Sequence, residues 1–264
     1  IEAFDSANEV NLNPNVTVLV GAFDLKYITL GNQMMGMAKR YLDFFETHTD
    51  FGRGYLSELN DNIKLGYKDP SSNMHKGYLS QILAVSFGPA NPEAAIGKDA
   101  KKIKFEEAGK FPNLLQALGV TTSTTEDGDL FTGQITIFGV PGAKDGNWED
   151  FEKIFYNPFG HDCLAFENIW DDNARGTQCG FFFPQRQNLI GHIDEHGNSL
   201  YESADVAIEK NRNDKRLNLN PIDYQRYISQ RANKPQEAFS ISGDSFFPKQ
   251  LLEEQLNKDI RDPN

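Results

Sequence analysis

The stretch KIKFEEAG at residues 102–109 places two carboxylates directly after a short, largely apolar segment. Residues 102–105 predict a β-strand, so Glu106 and Glu107 would lie where that strand ends. Nucleoside triphosphatases use this arrangement: the first acid holds Mg²⁺, and the second orients the water that attacks the γ-phosphate. Adjacent glutamates also occur at solvated helix starts, where acids are favourable. The neighbouring sequence must therefore decide between the two interpretations.

The first half of the chain alternates strand and helix patterns. Besides 102–105, strands are expected at 15–23, 78–87 and 134–138, and helices at 29–45 and 113–118. Strands separated by helices imply βαβ units, so we predict an α/β fold with a mainly parallel sheet flanked by helices. Ligands on such sheets bind at the carboxyl ends of the strands. The GVPG turn at 139–142 should consequently lie beside the acid pair.

Two parts of the chain depart from this pattern. Residues 50–76 are polar and punctuated by Gly, Asp-Pro and Ser-Ser, which favours a long loop or short helices. After about residue 157, aromatic and Asn-rich segments alternate with charged helices, expected at 203–216, 222–232 and 249–260. We therefore expect a core portion at 1–160 and a smaller C-terminal subdomain at 161–264.

The bulk composition excludes several classes of protein. Hydrophobic residues make up 39% and aromatic residues 12% of the 264 residues, enough to fill a folded core. No apolar run reaches the roughly 18 residues that span a bilayer, and no signal peptide is visible, so a cytoplasmic location without membrane partners is expected. The net charge of −12 argues against a dedicated nucleic-acid binder, because such proteins carry positive surfaces. Any DNA contact should be local, transient or made by other parts.

Several longer stretches, taken in order, resemble one protein family. SFGPANPEAAIGKDAKKIKFEEAGKFPNL at 86–114 is similar to the Walker B region of phage terminase large subunits, and ITIFGVPG at 135–142 resembles their coupling motif. VLVGAFDLKYITLGNQMMGMAKRYL at 18–42 resembles the strand and helix that follow the Walker A helix in that family. Three later stretches look like the segment that joins its ATPase and nuclease domains: GTQCGFFFP at 176–184, DEHGNS at 194–199 and KPQEAFSISGDSFFP at 234–248. The resemblance covers nearly the whole chain.

The resemblance implies roles for particular residues. Glu106 would be the Mg²⁺-side acid, Glu107 the catalytic glutamate, and Gly139 and Val140 part of the coupling loop that senses the nucleotide. The family usually carries Thr where this chain has Val140, and Val lacks a hydroxyl that could contact phosphate or water. No G-x-x-x-x-G-K-[ST] loop is present to cradle phosphates. We therefore expect the Walker A segment to lie upstream of Ile1, and this piece alone to bind ATP poorly and be inactive.

The same resemblance implies a fold and a function. The fold would be a P-loop NTPase-like sheet with ATPase core residues at 1–160, and residues 161–264 would form a linker or lid subdomain before a nuclease domain. The full-length protein would hydrolyse ATP with Mg²⁺ to drive double-stranded DNA into a procapsid. Its partners would be the portal protein and the small terminase subunit, and it would work as a homo-oligomeric ring in the host cytoplasm at the procapsid portal.

Three other interpretations remain open. Cys163, Cys179, His192 and His196 partly match zinc-ligand spacing, although the two cysteines are too far apart for a zinc finger. An RNase H-like nuclease, which binds two metals through clustered Asp residues, could use the carboxylates of Asp162, Asp171, Asp172 and Asp194, the last after an expected strand at 189–193. A non-enzymatic scaffold with an NTPase-like sheet would also fit the acidic charge and the missing phosphate loop.

Overall fold

The acid-bearing segment forms a strand of a mixed sheet in a computed structural model of the chain. The structure describes residues 1–88, 91, 93–127, 130–140, 148–171, 174–187 and 189–240. The chain divides into two units, Ile1–Gly139 and Val140–Asn264. This division precedes residue 160, where the change of composition suggested a boundary. The helix Trp148–Tyr156 explains the difference, since Trp148 and Phe155 pack with Cys179 and Phe239 of the second unit.

The elements of the first unit follow one another in chain order. They are α1 Glu2–Leu12, β1 Thr17–Ala22, α2 Lys26–Thr29, α3 Met34–His48, β2 Tyr55–Glu58, β3 Asn62–Leu65, β4 Tyr67–Lys68, β5 His75–Lys76, β6 Gln81–Ser86, β7 Lys102–Phe105, α4 Leu114–Thr122, β8 Glu126–Asp127, β9 Leu130–Phe131 and β10 Gln134–Ile137. A 3-10 turn, Ala108–Lys110, follows β7.

Within the described residues, the central sheet has six strands in the order β10-β7-β1-β6-β3-β2. Strands β6, β1, β7 and β10 are parallel to one another, whereas β3 runs antiparallel to both β6 and β2. The expected α/β fold with a mainly parallel sheet is thereby confirmed. The parallel strands are the ones whose carboxyl ends carry the acid pair and the residue 139 turn.

The two faces of the sheet have different cores. On one face, Val18 and Val20 of β1 pack with α1 and α3 through Ala7 and Ala38, among other buried residues. On the other face, the rings of Phe87, Phe105 and Phe111 meet edge-on or tilted, with centroids 5.0–5.9 Å apart. Successive residues of β1 therefore face two different cores. The strand is buried on both faces, as central strands of parallel sheets usually are.

One lysine of β7 lies inside the first core. The side chain of Lys104 is 1% exposed, and its ammonium donates to the Glu2 carbonyl oxygen (3.0 Å) and to the carboxylates of Glu2 and Asp5. Lys102, two residues earlier on the same face, pairs with Asp5 (2.8 Å) and Glu9 (3.0 Å). Helix α1 is therefore joined to β7 by a row of charges as well as by apolar packing.

One expectation about this unit was wrong, and another was confirmed only in part. Residues 50–76 contain strands β2 to β5 instead of a long loop or short helices. A tight turn at Leu59 and Asn62 pairs β2 with β3, and Ile63 and Leu65 are buried at alternate positions of β3. The helix expected at 29–45 is found as α3, but it begins only at Met34, and a separate short helix, α2, ends at Thr29. Gly31 adopts a φ of 54° between them, which ends α2 and lets α3 begin at Met34.

The second unit contains helices and short strand pairs. Its elements are α5 Trp148–Tyr156, a 3-10 helix Pro158–His161, β11 Phe166–Glu167, β12 Gln178–Cys179, α6 Tyr201–Asn218, α7 Pro221–Ser229 and α8 Pro235–Ala238. Helices α6 and α7 occupy the segments expected at 203–216 and 222–232, whereas the helix expected at 249–260 lies outside the described residues. Among the helices of the described part of the chain, none is both long enough and apolar enough to cross a membrane.

Candidate active site at the carboxyl ends of the parallel strands

Backbone hydrogen bonds hold the acid pair at the edge of the sheet. The Glu106 amide donates to the Gly21 carbonyl of β1 (2.8 Å), and the Phe138 amide donates to the Phe105 carbonyl (3.1 Å). The Ala108 amide in turn donates to the Phe138 carbonyl (3.0 Å). The segment after β7 is thus bonded on one side to β1 and on the other to the residue that follows β10. Its position is set by the sheet and not by a free loop.

The backbone at Glu107 is strained. Its φ of 54° and ψ of 45° lie in the left-handed region, which costs a non-glycine residue about 1–2 kcal/mol. Such conformations persist where the surrounding structure holds them and are concentrated at functional sites. Here the conformation turns the chain from β7 into the 3-10 turn, and it leaves Glu107 at the tip of the strand.

Gly139 lies against this tip. A Cβ atom at residue 139 would stand 3.0 Å from the Ala108 nitrogen and 3.3 Å from the Glu107 Cα atom. Since real Cβ atoms rarely approach backbone so closely, glycine is needed for the chain after β10 to pass beside the acid pair. The structure therefore brings Glu106, Glu107 and Gly139 together. Val140 is exposed, and residues 141 and 142 of the expected coupling loop lie outside the described residues.

The two carboxylates are in different environments. Burial raises the pKa of Glu106 to about 7, and the negative charge of Glu107 contributes to the same shift. Its Oε2 atom is buried and has no hydrogen-bond partner. A buried acceptor without a donor is costly, and a proton or a cation would satisfy it.

These residues fit Mg²⁺ in one specific way. Mg²⁺ is usually held by one or two carboxylates and completes its shell with water and substrate phosphates. Among the described residues, no group of three or more His, Cys, Asp and Glu side chains is placed to hold a metal by itself. The unpartnered Glu106 oxygen thus fits a cation that arrives with a phosphate ligand, rather than a permanent structural metal.

Two further residues of the site were missed by sequence reasoning. The Lys110 ammonium lies 3.5 Å from Glu107 Oε2, and it also stands 4.4 Å from the centroid of the Tyr27 ring. The spacing of Glu107 and Lys110, three residues apart, could have indicated their pairing. Tyr27 follows a different strand, and the sequence carries no local signal that places it there.

Replacing Glu106 with Gln should make stability less dependent on pH. Between pH 4.5 and about 7 the folded protein keeps a proton on Glu106 that the unfolded chain loses, so the free energy of unfolding falls as pH rises. Glu106→Gln has no carboxyl group at this position, so it avoids this loss of stability. We expect it to match the parent near pH 4.5 and to be more stable by about 2 kcal/mol near pH 8, after allowance for partial solvation. Urea unfolding across this range measures the difference.

The matched control is Glu126→Gln, which alters an exposed glutamate on β8. Its stability difference from the parent should stay constant over the same pH range. A Glu106→Gln difference that is equally flat would show that Glu106 does not hold its proton in the folded state.

The four candidate zinc ligands do not form a site. Among the described residues, which include all four, no three such side chains come together. Cys179 is buried, and burial together with Asp171 raises its pKa to about 11, which disfavours the thiolate that zinc requires. The His192 ring instead lies 2.9 Å from the Ser203 hydroxyl.

Two of the four candidate nuclease carboxylates, those of Asp171 and Asp194, have structural partners. Asp171 is buried and accepts hydrogen bonds from Tyr156 (3.0 Å) and Asn168 (3.1 Å). Asp194 accepts from the His196 and Asn198 amides in a turn, and the strand expected at 189–193 is reduced to one bridge between Ile193 and Ser199. Asp172 lies outside the described residues. The turn residues of 194–198 satisfy one another, which explains why an extended strand is absent there.

No family model matches the chain, and no curated protein sequence does. The solved structures similar to it include the ATPase domain of the large terminase of Thermus phage P74-26. The similarity to that domain has a TM-score of 0.47 and 12% identity, and it covers 85% of this chain and 80% of that one. For a variant of the same domain with one substitution, the TM-score is 0.48 and the identity 11%, with the same coverage.

Proposed function

We propose that this chain supplies the magnesium-binding and water-activating acids of an ATP-hydrolysing motor. One observation carries the proposal: Glu106 and Glu107 emerge at the carboxyl end of a parallel strand, against the glycine that follows the neighbouring strand. This is the edge at which α/β sheets bind ligands. The unpartnered, buried oxygen of Glu106 provides a place for a cation beside it.

Glu107 would act on the attacking water. Its side chain is 27% exposed and stands at the tip of β7, where a substrate could reach it. A carboxylate there can orient a water molecule and accept its proton as the γ-phosphate is attacked, an assistance worth about 10²–10⁴ in rate. Gly139 lies close enough to Glu107 for a change at one position to displace the other. That proximity suits a segment that couples hydrolysis to movement.

Glu106 would hold the cation. Because its pKa is raised to about 7, it would have to release a proton to bind a cation near neutral pH. A bound Mg²⁺ would supply positive charge beside the phosphate oxygens of the nucleotide. The remaining binding groups for the nucleotide would come from a Walker A loop, whose motif is not found among these residues.

The motor role rests on the order of motifs that resembles terminase large subunits. We propose that ATP turnover drives double-stranded DNA into a phage procapsid, by a homo-oligomeric ring that engages the portal protein and the small terminase subunit in the host cytoplasm. Because the net charge of −12 opposes binding to phosphate, any DNA contact would be confined to small regions of the surface. Brief contacts of this kind also suit translocation, because a motor must release DNA between steps.

The test uses the full-length protein with procapsids, linear DNA and ATP. We expect ATP hydrolysis that requires Mg²⁺, and DNA that becomes resistant to added nuclease when ATP and procapsids are both present. Omission of Mg²⁺ should abolish both signals, and its return should restore them. Absence of Mg²⁺-dependent hydrolysis would refute the ATPase, whereas hydrolysis without DNA protection would refute the packaging role. A stable complex with a partner protein and no response to nucleotide would indicate a scaffold.

A further inference from the structure

We propose that Lys110, whose ammonium lies over the ring of Tyr27, is a positioning residue that fixes the carboxylate of Glu107. The catalytic consequence rests on the proposed function, whereas the positioning itself does not. The Lys110 ammonium contacts Glu107 and Tyr27, and the residue would act through Glu107.

Lys110 is joined to Glu107 at both backbone and side chain. Its amide donates to the Glu107 carbonyl (2.8 Å), and its ammonium lies 3.5 Å from Glu107 Oε2. In a 3-10 turn, residues three apart stand almost directly above one another. The turn Ala108–Lys110 therefore brings the lysine back over the glutamate that precedes it.

The ammonium of Lys110 lies over the ring of Tyr27, which is itself held in place. The cation stands 4.4 Å from the ring centroid, within the range of a cation–π contact. Tyr27 lies on α2 and packs against the apolar core, and its neighbour Ile28 is completely buried. The packing of Tyr27 against this core holds its ring in place. The Lys110 ammonium therefore lies between the Tyr27 ring and the Glu107 carboxylate.

This ion pair differs from an ordinary surface pair. The side chains of Lys110 and Glu107 are 23% and 27% exposed, compared with 56% and 43% for Lys26 and Asp24 nearby. Lower exposure reduces screening by water and strengthens the pair. Within the described part of the chain, Lys110 is the one charged partner found for Glu107. Without it, the Glu107 side chain would be free to sample several rotamers.

Lys26 offers a matched control. Its ammonium also stands over the Tyr27 ring, at 5.1 Å, but its carboxylate partner is Asp24 and not Glu107. Lys26→Gln therefore removes a similar charge from the same ring without removing the partner of Glu107. Tyr27→Phe is the conservative counterpart, because it keeps the aromatic face and loses only the hydroxyl.

The first measurement needs no activity. Three-bond NMR couplings in protein labelled at glutamate report whether χ1 of Glu107 occupies one rotamer or several. We expect one rotamer in the parent, in Lys26→Gln and in Tyr27→Phe, and averaged couplings in Lys110→Met and Tyr27→Leu. Couplings that stay unaveraged in Lys110→Met would overturn the proposal, whether or not the protein hydrolyses ATP.

The second measurement is steady-state ATP hydrolysis by the full-length protein. We expect Lys110→Met and Tyr27→Leu to lower kcat about 10-fold while KM changes less than about 2-fold, since a mispositioned base affects the chemical step. Lys26→Gln and Tyr27→Phe should keep the parent kcat. If Glu107→Gln loses activity but Lys110→Met keeps it, the positioning role is wrong and the proposed function stands. If the parent shows no hydrolysis, the proposed function fails while the NMR result still decides the positioning.

Discussion

Replacing Glu107 with Gln in the full-length protein is expected to lower kcat for ATP hydrolysis by about 10²–10⁴-fold. Glutamine fills the same space at the tip of β7, but it cannot accept a proton from the attacking water. The strained backbone at Glu107 and its contact with Gly139 should be unchanged, because neither depends on the carboxylate charge. Nucleotide affinity should therefore stay within about 3-fold of the parent value, since ground-state binding does not use the base. Single-turnover kinetics and equilibrium binding of a labelled nucleotide measure the two quantities separately.

Glu126→Gln is the control for this experiment. Glu126 is exposed on β8, near the amino end of β10 and away from the edge that carries the acid pair. It should retain the parent kcat. Turnover that persists undiminished in Glu107→Gln would mean that Glu107 has another role.

Removing both acids that face Lys104 is expected to destabilise the first unit strongly. In Glu2→Gln/Asp5→Asn, the Lys104 ammonium would remain 1% exposed without a counter-charge. Breaking a buried ion pair in this way costs about 3–5 kcal/mol, because an uncompensated charge is left away from water. Lys104→Met should cost much less. The carboxylates of Glu2 and Asp5 are 31% and 40% exposed, so they can be hydrated when the lysine is gone.

The comparison of these variants tests the burial of Lys104. Urea unfolding near neutral pH should rank the double acid variant far below Lys104→Met. Asp24→Asn, which removes one side of an exposed pair, should leave the free energy of unfolding close to that of the parent. Equal losses of unfolding free energy in the double acid variant and in Lys104→Met would contradict this ranking. Such a result would place the lysine in water and not inside the core.

The sequence predicted the sheet better than its surroundings. The strand at 102–105 was located correctly, and those near 15–23 and 134–138 were displaced by only a few residues, because each is a short apolar or β-branched run with a clear end. Strands β2 to β5 were missed because they are short and polar, and their pairing depends on turns within 54–77. Lys104 could not have been placed in the core, since its partners lie 99–102 residues earlier in the chain.

The candidate site, like the fold, could be predicted from the sequence only in part. Glu106, Glu107 and Gly139 were expected to be neighbours because the carboxyl ends of parallel strands share one edge, and that rule needs no side-chain detail. Tyr27 follows β1 and reaches Lys110 only through the fold. The raised pKa of Glu106 likewise depends on burial, which adjacent glutamates in a sequence do not reveal.

The most direct test of the central claim is an experimental structure of the full-length protein with Mg²⁺ and a non-hydrolysable ATP analogue. We expect the cation to be bound by Glu106, directly or through water. We also expect the γ-phosphate to face the Glu107 carboxylate at the carboxyl edge of β7 and β10. A nucleotide bound at any other edge or face, with Glu106 and Glu107 in contact only with solvent, would contradict it.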